Sequence, residues 1–226
     1  MLQQIQIITL SLAIFCNLIM SIITARGWKN LVYRYFSIMT FFNVLWASGL
    51  LIFNISNNVE IVQFFASFIY LAALMVVLNL FYFSWYFPFK IFNLNKFWHN
   101  FLTLSLSFFS LYFIFFYKHF VPSVNIVGNN DCVFNFVPYT IFSTVLLMLM
   151  LGSVIILFIK YFRVDVLFKK SILLIIVAVL FGVITGSYFN LIAMYLDNFN
   201  NYHFGPLFTL VINFTAFYLI FIKKNN

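Results

Sequence analysis

The chain is a succession of long apolar segments separated by short polar ones. The apolar segments are, to within a few residues, 2–24, 35–53, 60–87, 97–117, 139–162, 171–195 and 206–222. A helix rises about 1.5 Å per residue and the hydrocarbon core of a bilayer is about 30 Å thick, so each segment is long enough for one crossing. The sequence lacks the alternating segments of about ten residues that are typical of membrane barrels. The pattern predicts an all-α membrane protein, with residues 1–226 forming a single domain of seven transmembrane helices.

The composition supports this class of protein. Of the 226 residues, 65% are hydrophobic and only 7% are charged, whereas about 25% of the residues in a soluble domain are charged. So few charges cannot cover a globular surface in water. We therefore expect a multi-pass protein of the cell membrane, with the lipid bilayer as its surroundings.

The positions of the charged residues predict an orientation. Eleven of the 12 cations fall in alternate connections or in the C-terminal tail: Arg26, Lys29, Arg34, Lys90, Lys96, Lys160, Arg163, Lys169, Lys170, Lys223 and Lys224. Short loops rich in Lys and Arg stay on the cytoplasmic side, so we expect the N-terminus outside and the C-terminus in the cytoplasm. Topology also explains the net charge of +8. Binding to nucleic acid is not expected, because it would need a basic face interleaved with stacking aromatic residues.

The one long connection, residues 118–138, lies on the predicted outer side. Two β-prone runs, Val124–Val127 and Cys132–Val137, flank a turn-rich tetrad at residues 128–131. This pattern fits either a short β-hairpin or an irregular loop. Cys132 lies in this connection and Cys16 in the first apolar segment, so we expect both to be unpaired. We also expect the Cys132 thiol to be accessible from outside.

Several functions are disfavoured by what the segments lack. Ionisable residues are essentially absent at mid-depth, which argues against a proton pump, an ion-coupled transporter or a voltage sensor. The last segment has no lysine for a retinal Schiff base. The sequence also has no catalytic motif and no dense set of metal ligands. We therefore expect no enzymatic activity, no cofactor and no bound metal.

Neutral polar residues cluster in the outer halves of the segments. Asn43 and Trp46 share one helical face, as do Thr209 and Asn213. Such residues either join helices by hydrogen bonds or line an outward-opening pocket with an apolar body and a few polar groups. For the pocket, the candidate ligand-binding residues are Trp46, Glu60, Gln63, Tyr70, Ser187, Asn190 and Asn213.

The sixth segment contains two glycines four residues apart, Gly182 and Gly186. Small residues at this spacing let another helix approach closely. The pair serves either packing within the bundle or the interface of a homodimer.

Short motifs near both ends of the chain resemble a known family, the N-terminal seven-helix sensor region of bacterial histidine kinases. The resemblance is carried by Arg26, Arg34, Phe36, Phe41 and Trp46, by the segment Ile61–Phe87 with its WYFPF ending, and by Gly205-Pro206-Leu207-Phe208. It implies a membrane sensor that signals through the cytoplasmic end of the last helix. Because no strong charge lines the expected pocket, the ligand should be a small, largely apolar compound from outside or from the membrane.

The kinase modules of that family would follow the last helix, but here only residues 223–226 do so. We expect either a stand-alone sensor acting through a cytoplasmic signalling partner or a piece of a chain whose kinase module is missing. The alternative function is a transporter subunit or an immunity-type integral membrane protein.

Overall fold

The computed structural model describes residues 2–90, 96–126, 131–189 and 204–222. Its helices are α1 (Leu2–Ala25), α2 (Leu31–Ile55), α3 (Val59–Tyr86), α4 (Lys96–Phe115), α5 (Tyr117–Phe120), α6 (Phe136–Arg163), α7 (Val166–Ser187) and α8 (Phe204–Phe217), the last continued by a π-helical turn, Tyr218–Ile222. Within these ranges seven helices, all but the short α5, are long and apolar enough to cross a membrane. The predicted seven-helix, all-α class is confirmed.

Asparagine side chains cap the N-termini of two helices. The Asn30 side-chain oxygen accepts a 2.9 Å hydrogen bond from the backbone N–H of Val32, so α2 begins about one turn before the predicted boundary. The Asn58 oxygen accepts hydrogen bonds from Glu60 and Ile61 at the start of α3. The first N–H groups of a helix lack intrahelical partners, and asparagine supplies an acceptor for them.

The spanning helices form a closed bundle with α3 near its middle. Helix α3 contacts α2, α4, α5 and α6, and the bundle closes through α7, α8 and α1. The connections α1–α2, α3–α4 and α6–α7 lie at one end, which we call the basic end because it holds most of the cations. The opposite end, with the connection between α5 and α6, is called the hairpin end.

A two-stranded sheet occupies the hairpin end. Strand β1 (Ser123–Asn125) pairs antiparallel with β2 (Asp131–Val133), with Val124 opposite Cys132. Of the two alternatives, the hairpin is confirmed, but its strands differ from the predicted runs, because Asp131 belongs to β2 while Phe136 and Val137 belong to α6. The sheet packs against α3.

The expectation of an accessible Cys132 thiol is wrong. Successive side chains of a strand point to opposite faces, and here Cys132 points inward and is 6% exposed while Val133 is 59% exposed. Burial raises the pKa of the Cys132 thiol well above its usual value, and the neighbouring Asp131 carboxylate raises it further. Cys16 and Cys132 are both unpaired, as predicted.

Lys160 does not lie in a connection, contrary to what the sequence analysis predicts for this group of cations. It lies inside α6, is 1% exposed, and sits at the basic end. Its Nζ donates hydrogen bonds to the carbonyl oxygens of Ser84 (2.8 Å), Trp85 (2.7 Å) and Phe87 (2.6 Å). The last carbonyls of a helix lack intrahelical donors, and an ammonium has three donors. Lys160 therefore closes the C-terminus of α3 and fixes α6 to it.

Candidate functional site

An internal cavity of about 50 Å³ lies between α2, α3, α6, α7 and α8. One water needs roughly 10–15 Å³ of such space, so the cavity has room for a few waters or for a group of a few heavy atoms. It lies at the middle depth of the bundle and extends towards the hairpin end along α7, where Gly182 and Gly186 line it. Its walls are mostly aliphatic and aromatic, and none of the described residues that line it is charged. The polar lining residues are Asn43, Trp46, Tyr70, Thr209 and Asn213.

Three of the candidate residues from the sequence meet at this cavity. Trp46 on α2, Tyr70 on α3 and Asn213 on α8 all line it. Trp46 is 7% exposed, so its indole faces the interior of the bundle rather than lipid. Asn43 and Thr209, which the helical spacing had paired with Trp46 and Asn213, line the cavity as well.

Two other candidates, Glu60 and Gln63, lie away from the cavity. Glu60 is exposed at the hairpin end, where Oε1 lies 3.3 Å from Nζ of Lys118. This hydrogen bond raises the pKa of Lys118, although such an exposed pair contributes little to stability. Gln63 is buried, and its side-chain nitrogen donates a hydrogen bond to the carbonyl of Val121, just after α5. Both residues hold the connection at the hairpin end, and neither lines the cavity.

The last two candidates lie near the end of α7. Ser187 is half-buried, and its hydroxyl lies 3.9 Å from the sulfur of Met150, which lines the cavity. Ser187 is therefore next to the lining residues without being one of them. Asn190 falls outside the described residues.

A ring layer lies between the cavity and the hairpin. Tyr70 and Phe142 line the cavity, and the Tyr70 ring meets Phe142 edge-on with centroids 5.0 Å apart. On its other side the Tyr70 ring meets Phe120 of α5 and Phe134 next to β2, both at 5.1 Å. Edge-to-face contacts of this kind are favourable for aromatic pairs. The ring layer thus covers the cavity at the hairpin end.

Side-chain hydrogen bonds join α8 to α1 and α2 at the level of the cavity. The Thr209 hydroxyl lies 3.1 Å from Oδ1 of Asn43, and the Asn213 side-chain nitrogen donates a 2.6 Å bond to Oδ1 of Asn17 on α1. The Asn17 nitrogen donates in turn to the carbonyl of Ala13 at 2.8 Å. Asn43, Thr209 and Asn213 therefore both join helices by hydrogen bonds and line the cavity. Asn17 was missed, although an amide inside an apolar segment was a usable signal.

Two amide atoms of the lining residues have no hydrogen-bond partner among the described residues. These are Nδ2 of Asn43 and Oδ1 of Asn213, in side chains that are 0% and 1% exposed. The nitrogen and oxygen of an asparagine amide can be assigned in either orientation. In the reverse orientation of Asn43 the nitrogen would pair with Thr209 and the oxygen would be unpaired, because Thr209 is the one partner of this amide among the described residues. About 90% or more of buried polar groups are hydrogen-bonded. One donor and one acceptor of these two residues are thus buried and unused among the described residues.

Gly182 and Gly186 shape the wall that α7 contributes. A Cβ atom at Gly182 would overlap with Cδ1 of Ile212 on α8 and lie 3.0 Å from its Cγ1, whereas one at Gly186 would meet nothing within 4 Å. The first glycine lets α7 and α8 pack closely, and the second leaves open space at the cavity. Gly182 therefore serves packing within the bundle.

At the basic end, rings join the starts of α2 and α4 to the end of α3. The Tyr35 hydroxyl lies 2.8 Å from Nε2 of His99, and the Tyr82 ring lies over the His99 ring with centroids 4.5 Å apart. Nearby, the Tyr33 ring of α2 meets Phe221, at the end of the π-helical turn after α8, at 5.0 Å. Helix α8 therefore lines the cavity, and the turn that continues it contacts the start of α2.

The seven apolar helices make this chain a multi-pass membrane protein. A scan against protein-family models gave no match, and a search of curated proteins also gave none.

Proposed function

We propose that this protein is a sensor of the cell membrane that binds a small, largely apolar ligand in the cavity and signals through the basic end of α8. The observation that carries the proposal is the position of α8. Its middle turns line the cavity through Thr209, Ile212 and Asn213, and its continuation ends at the ring of Tyr33 at the basic end. One helix therefore connects the ligand site to the surface where a signal would leave.

The lining chemistry supports the ligand class. Pockets for small molecules are mostly apolar with a few placed polar groups, and the cavity has this composition without any charged residue among its described walls. An isolated charge would be costly to bury there. The ligand is therefore uncharged, and it reaches the cavity from outside or from the membrane.

The packing favours movement of α7 and α8 over movement of α3 and α6. Lys160 fixes α6 to the end of α3 with three hydrogen bonds, whereas α7 and α8 interlock at Gly182 and Ile212. We propose that α7 and α8 shift together when the ligand binds, because it fits one arrangement of the two helices better than the other. A ligand shifts such an equilibrium only by its difference in affinity for the two states.

The direction of signalling follows from the distribution of cations. Because short loops rich in Lys and Arg stay in the cytoplasm, the basic end faces inward and the hairpin end outward. The signal then passes from the end of α8 to a cytoplasmic partner or to a kinase module, as in the sensor regions that the sequence resembles. In this proposal the protein itself performs no catalysis.

A graded substitution at Gly186 tests the cavity. A library of uncharged apolar compounds is screened by thermal shift against the protein in nanodiscs, and each hit is repeated with Gly186→Ala and Gly186→Leu. The leucine fills the open space, so it should abolish the ligand-induced stabilisation, while alanine should reduce it only in part. Val177→Leu, at a position on α7 that is 57% exposed, is the matched control and should keep the full response. Stabilisation that survives Gly186→Leu would exclude the cavity as the site.

A distance measurement tests the signalling step. Spin labels at Phe162→Cys on α6 and Tyr218→Cys beyond α8, which are 76% and 45% exposed, should report a ligand-dependent change in distance. The control pair, Phe162→Cys with Phe97→Cys on α4, should not change, because α3 joins these helices. Equal distances with and without ligand for both pairs would contradict the proposal. Saturable uptake of the same ligand into proteoliposomes would favour the transporter instead.

A further inference from the structure

We infer that a groove between α4 and α6 at the hairpin end binds one phospholipid from the membrane leaflet at that end. An acyl chain lies along the apolar part of the groove, and the phosphate lies at its polar end. The groove shares no lining residue with the cavity between α2, α3, α6, α7 and α8. The inference therefore goes beyond the proposed function and does not depend on it.

The groove is large enough for an organic ligand. Its volume is about 520 Å³, within the range of about 300–1,000 Å³ that is usual for small-molecule sites. Helices α4 and α6 both pack on α3, and the groove lies between them next to α5. The residues that line it include Phe109, Tyr112, His119, Asn135, Val137 and Ile141.

The apolar part of the groove lies along two membrane-spanning helices. Phe109 lies six residues before the end of α4, and Ile141 lies five residues after the start of α6, so the groove follows these helices for about 8–9 Å at 1.5 Å per residue. Val137 and Ile141 are 61% and 49% exposed. Because both helices are long and apolar enough to cross a membrane, hydrocarbon rather than water covers these side chains. An acyl chain is the hydrocarbon that a bilayer supplies.

Three polar side chains lie at the end of the groove nearest the hairpin. The Tyr112 hydroxyl lies 2.5 Å from Nδ1 of His119, and the Asn135 side-chain nitrogen lies 3.4 Å from Nε2 of the same ring. With His119 neutral, the three side chains carry four polar hydrogens, two of them on Asn135. Their two mutual hydrogen bonds use two of these hydrogens in either tautomer of His119.

Two donors of this cluster therefore stay unused among the described residues. They are open to the surroundings, because His119 is exposed and Tyr112 and Asn135 are half-buried. Phosphate and ester oxygens of a lipid are acceptors that such donors bind. The groove is thus apolar where it runs into the membrane and rich in donors at the surface, which is the order of groups along a phospholipid.

The N-terminus of α6 adds an attraction for the phosphate. Asn135 occupies the N-cap position of α6, but its side chain makes no capping hydrogen bond there, whereas Asn30 and Asn58 cap α2 and α3. The helix dipole places a partial positive charge at such an end, which favours a phosphate. No Lys, Arg, Asp or Glu is among the described lining residues. The site should therefore recognise the phosphate whether or not the head group carries a net charge.

Native mass spectrometry of the protein released from detergent micelles counts the lipids that stay bound. The protein is titrated with dioleoyl phosphatidylcholine, dioleoyl phosphatidylglycerol and dioleoylglycerol, which share their acyl chains. The wild type should retain one molecule of either phospholipid with similar affinity. Dioleoylglycerol should bind about tenfold more weakly, since it forgoes the hydrogen bonds to the phosphate.

Substitutions in the groove locate the site. Ile141→Trp and Val137→Trp place a bulky ring in the groove, so each should abolish the retained phosphatidylcholine. Ile155→Trp, on the same helix at a position that is 57% exposed and outside the groove, is the matched control. Asn135→Leu removes one of the two unused donors and should weaken phosphatidylcholine binding about three- to tenfold. Asn125→Leu, exposed on β1 and outside the groove, should leave the affinity unchanged.

The inference is overturned if the wild type retains no phosphatidylcholine, or if both groove-filling variants retain it as the wild type does. Equal affinities for phosphatidylcholine and dioleoylglycerol would overturn the place of the phosphate. Retention of phosphatidylglycerol alone, lost in Arg34→Gln, would put the lipid at the basic end instead. Gly186→Leu should leave lipid retention unchanged, so failure of the groove and failure of the cavity as a ligand site are separate results.

Discussion

Asn213 on α8 donates a 2.6 Å hydrogen bond from its side-chain nitrogen to the side-chain oxygen of Asn17 on α1, which joins the last helix of the bundle to the first. Both side chains are buried, at 1% and 0% exposure. In a membrane such bonds are worth about 0.6 kcal/mol on average, but removing one partner leaves the other unpaired at a cost of about 1–3 kcal/mol.

Asn17→Leu should therefore lower the free energy of unfolding by about 1–2 kcal/mol, as measured by reversible unfolding in mixed micelles. Asn213→Leu should have a similar effect. In the double variant the two losses should not add, because both substitutions remove the same bond. Additive losses would mean that the two residues act independently.

Lys160 should be the most sensitive cation of the chain. Lys160→Met removes the donor to three carbonyl oxygens at the end of α3 and should cost about 2–4 kcal/mol in the free energy of unfolding. Lys160→Arg should lower the free energy of unfolding nearly as much as Lys160→Met, since a planar guanidinium cannot replace a compact ammonium among three carbonyls. Lys170→Met, at an exposed position, is the control and should leave stability unchanged. A wild-type melting temperature for Lys160→Met would contradict its role as the cap of α3.

The two glycines of α7 should respond oppositely to the same substitution. Gly182→Ala forces a Cβ against Ile212 and should cost about 1–3 kcal/mol by overpacking. Gly186→Ala meets open space and should be neutral or slightly stabilising, because alanine favours a helix more than glycine. Ile212→Val removes the atom that would overlap, so it should rescue Gly182→Ala in a melting experiment. Equal effects at both glycines would show that α7 and α8 are not closely packed at Gly182.

Cys132 should react slowly with thiol reagents although it lies in a surface hairpin. It is 6% exposed and burial raises its pKa, so little thiolate forms near neutral pH, and its reaction should speed up only when the protein unfolds. Val133→Cys, at a site that is 59% exposed, should react fast in a background with Cys16 and Cys132 replaced by alanine. Similar rates for the two thiols would show that the hairpin does not bury Cys132.

The Val133→Cys variant also tests the orientation of the protein in the membrane. An impermeant maleimide should label Val133→Cys on intact cells and should label Asn225→Cys only after permeabilisation. Labelling of Asn225→Cys on intact cells would reverse the topology and with it the proposed direction of signalling.

Substitutions of Trp46 and Glu60 distinguish a ligand site in the cavity from a ligand site on the surface of the hairpin end. Trp46→Phe should keep the bundle folded and weaken binding of an uncharged ligand about three- to tenfold, since it removes part of a wall and one donor. Glu60→Gln should change neither ligand affinity nor the melting temperature, because Glu60 is exposed and its partner Lys118 is too. Altered ligand affinity in Glu60→Gln alone would place the site at the hairpin end instead.

The candidate site was predictable where it depends on spacing along one helix. Asn43 and Trp46, like Thr209 and Asn213, were expected to share faces, and both pairs face the cavity. Glu60 and Gln63 do not line the cavity, because the sequence shows their depth but not their neighbours. Gln63 meets the Val121 carbonyl, which belongs to a connection far along the chain.

The sequence by itself determined the number and approximate places of the seven helices, because apolar length acts on neighbouring positions, and it left a hairpin and an irregular loop as alternatives for the long connection. Only the tertiary structure decided that Lys160 is buried rather than solvated, that Cys132 points inward, and that one atom of Asn43 and one of Asn213 remain unpaired among the described residues. Each of these depends on which groups distant segments bring into contact. The hydrophobic pattern that forms a helix does not specify the carbonyl, ring or amide that a polar side chain will find on the next one.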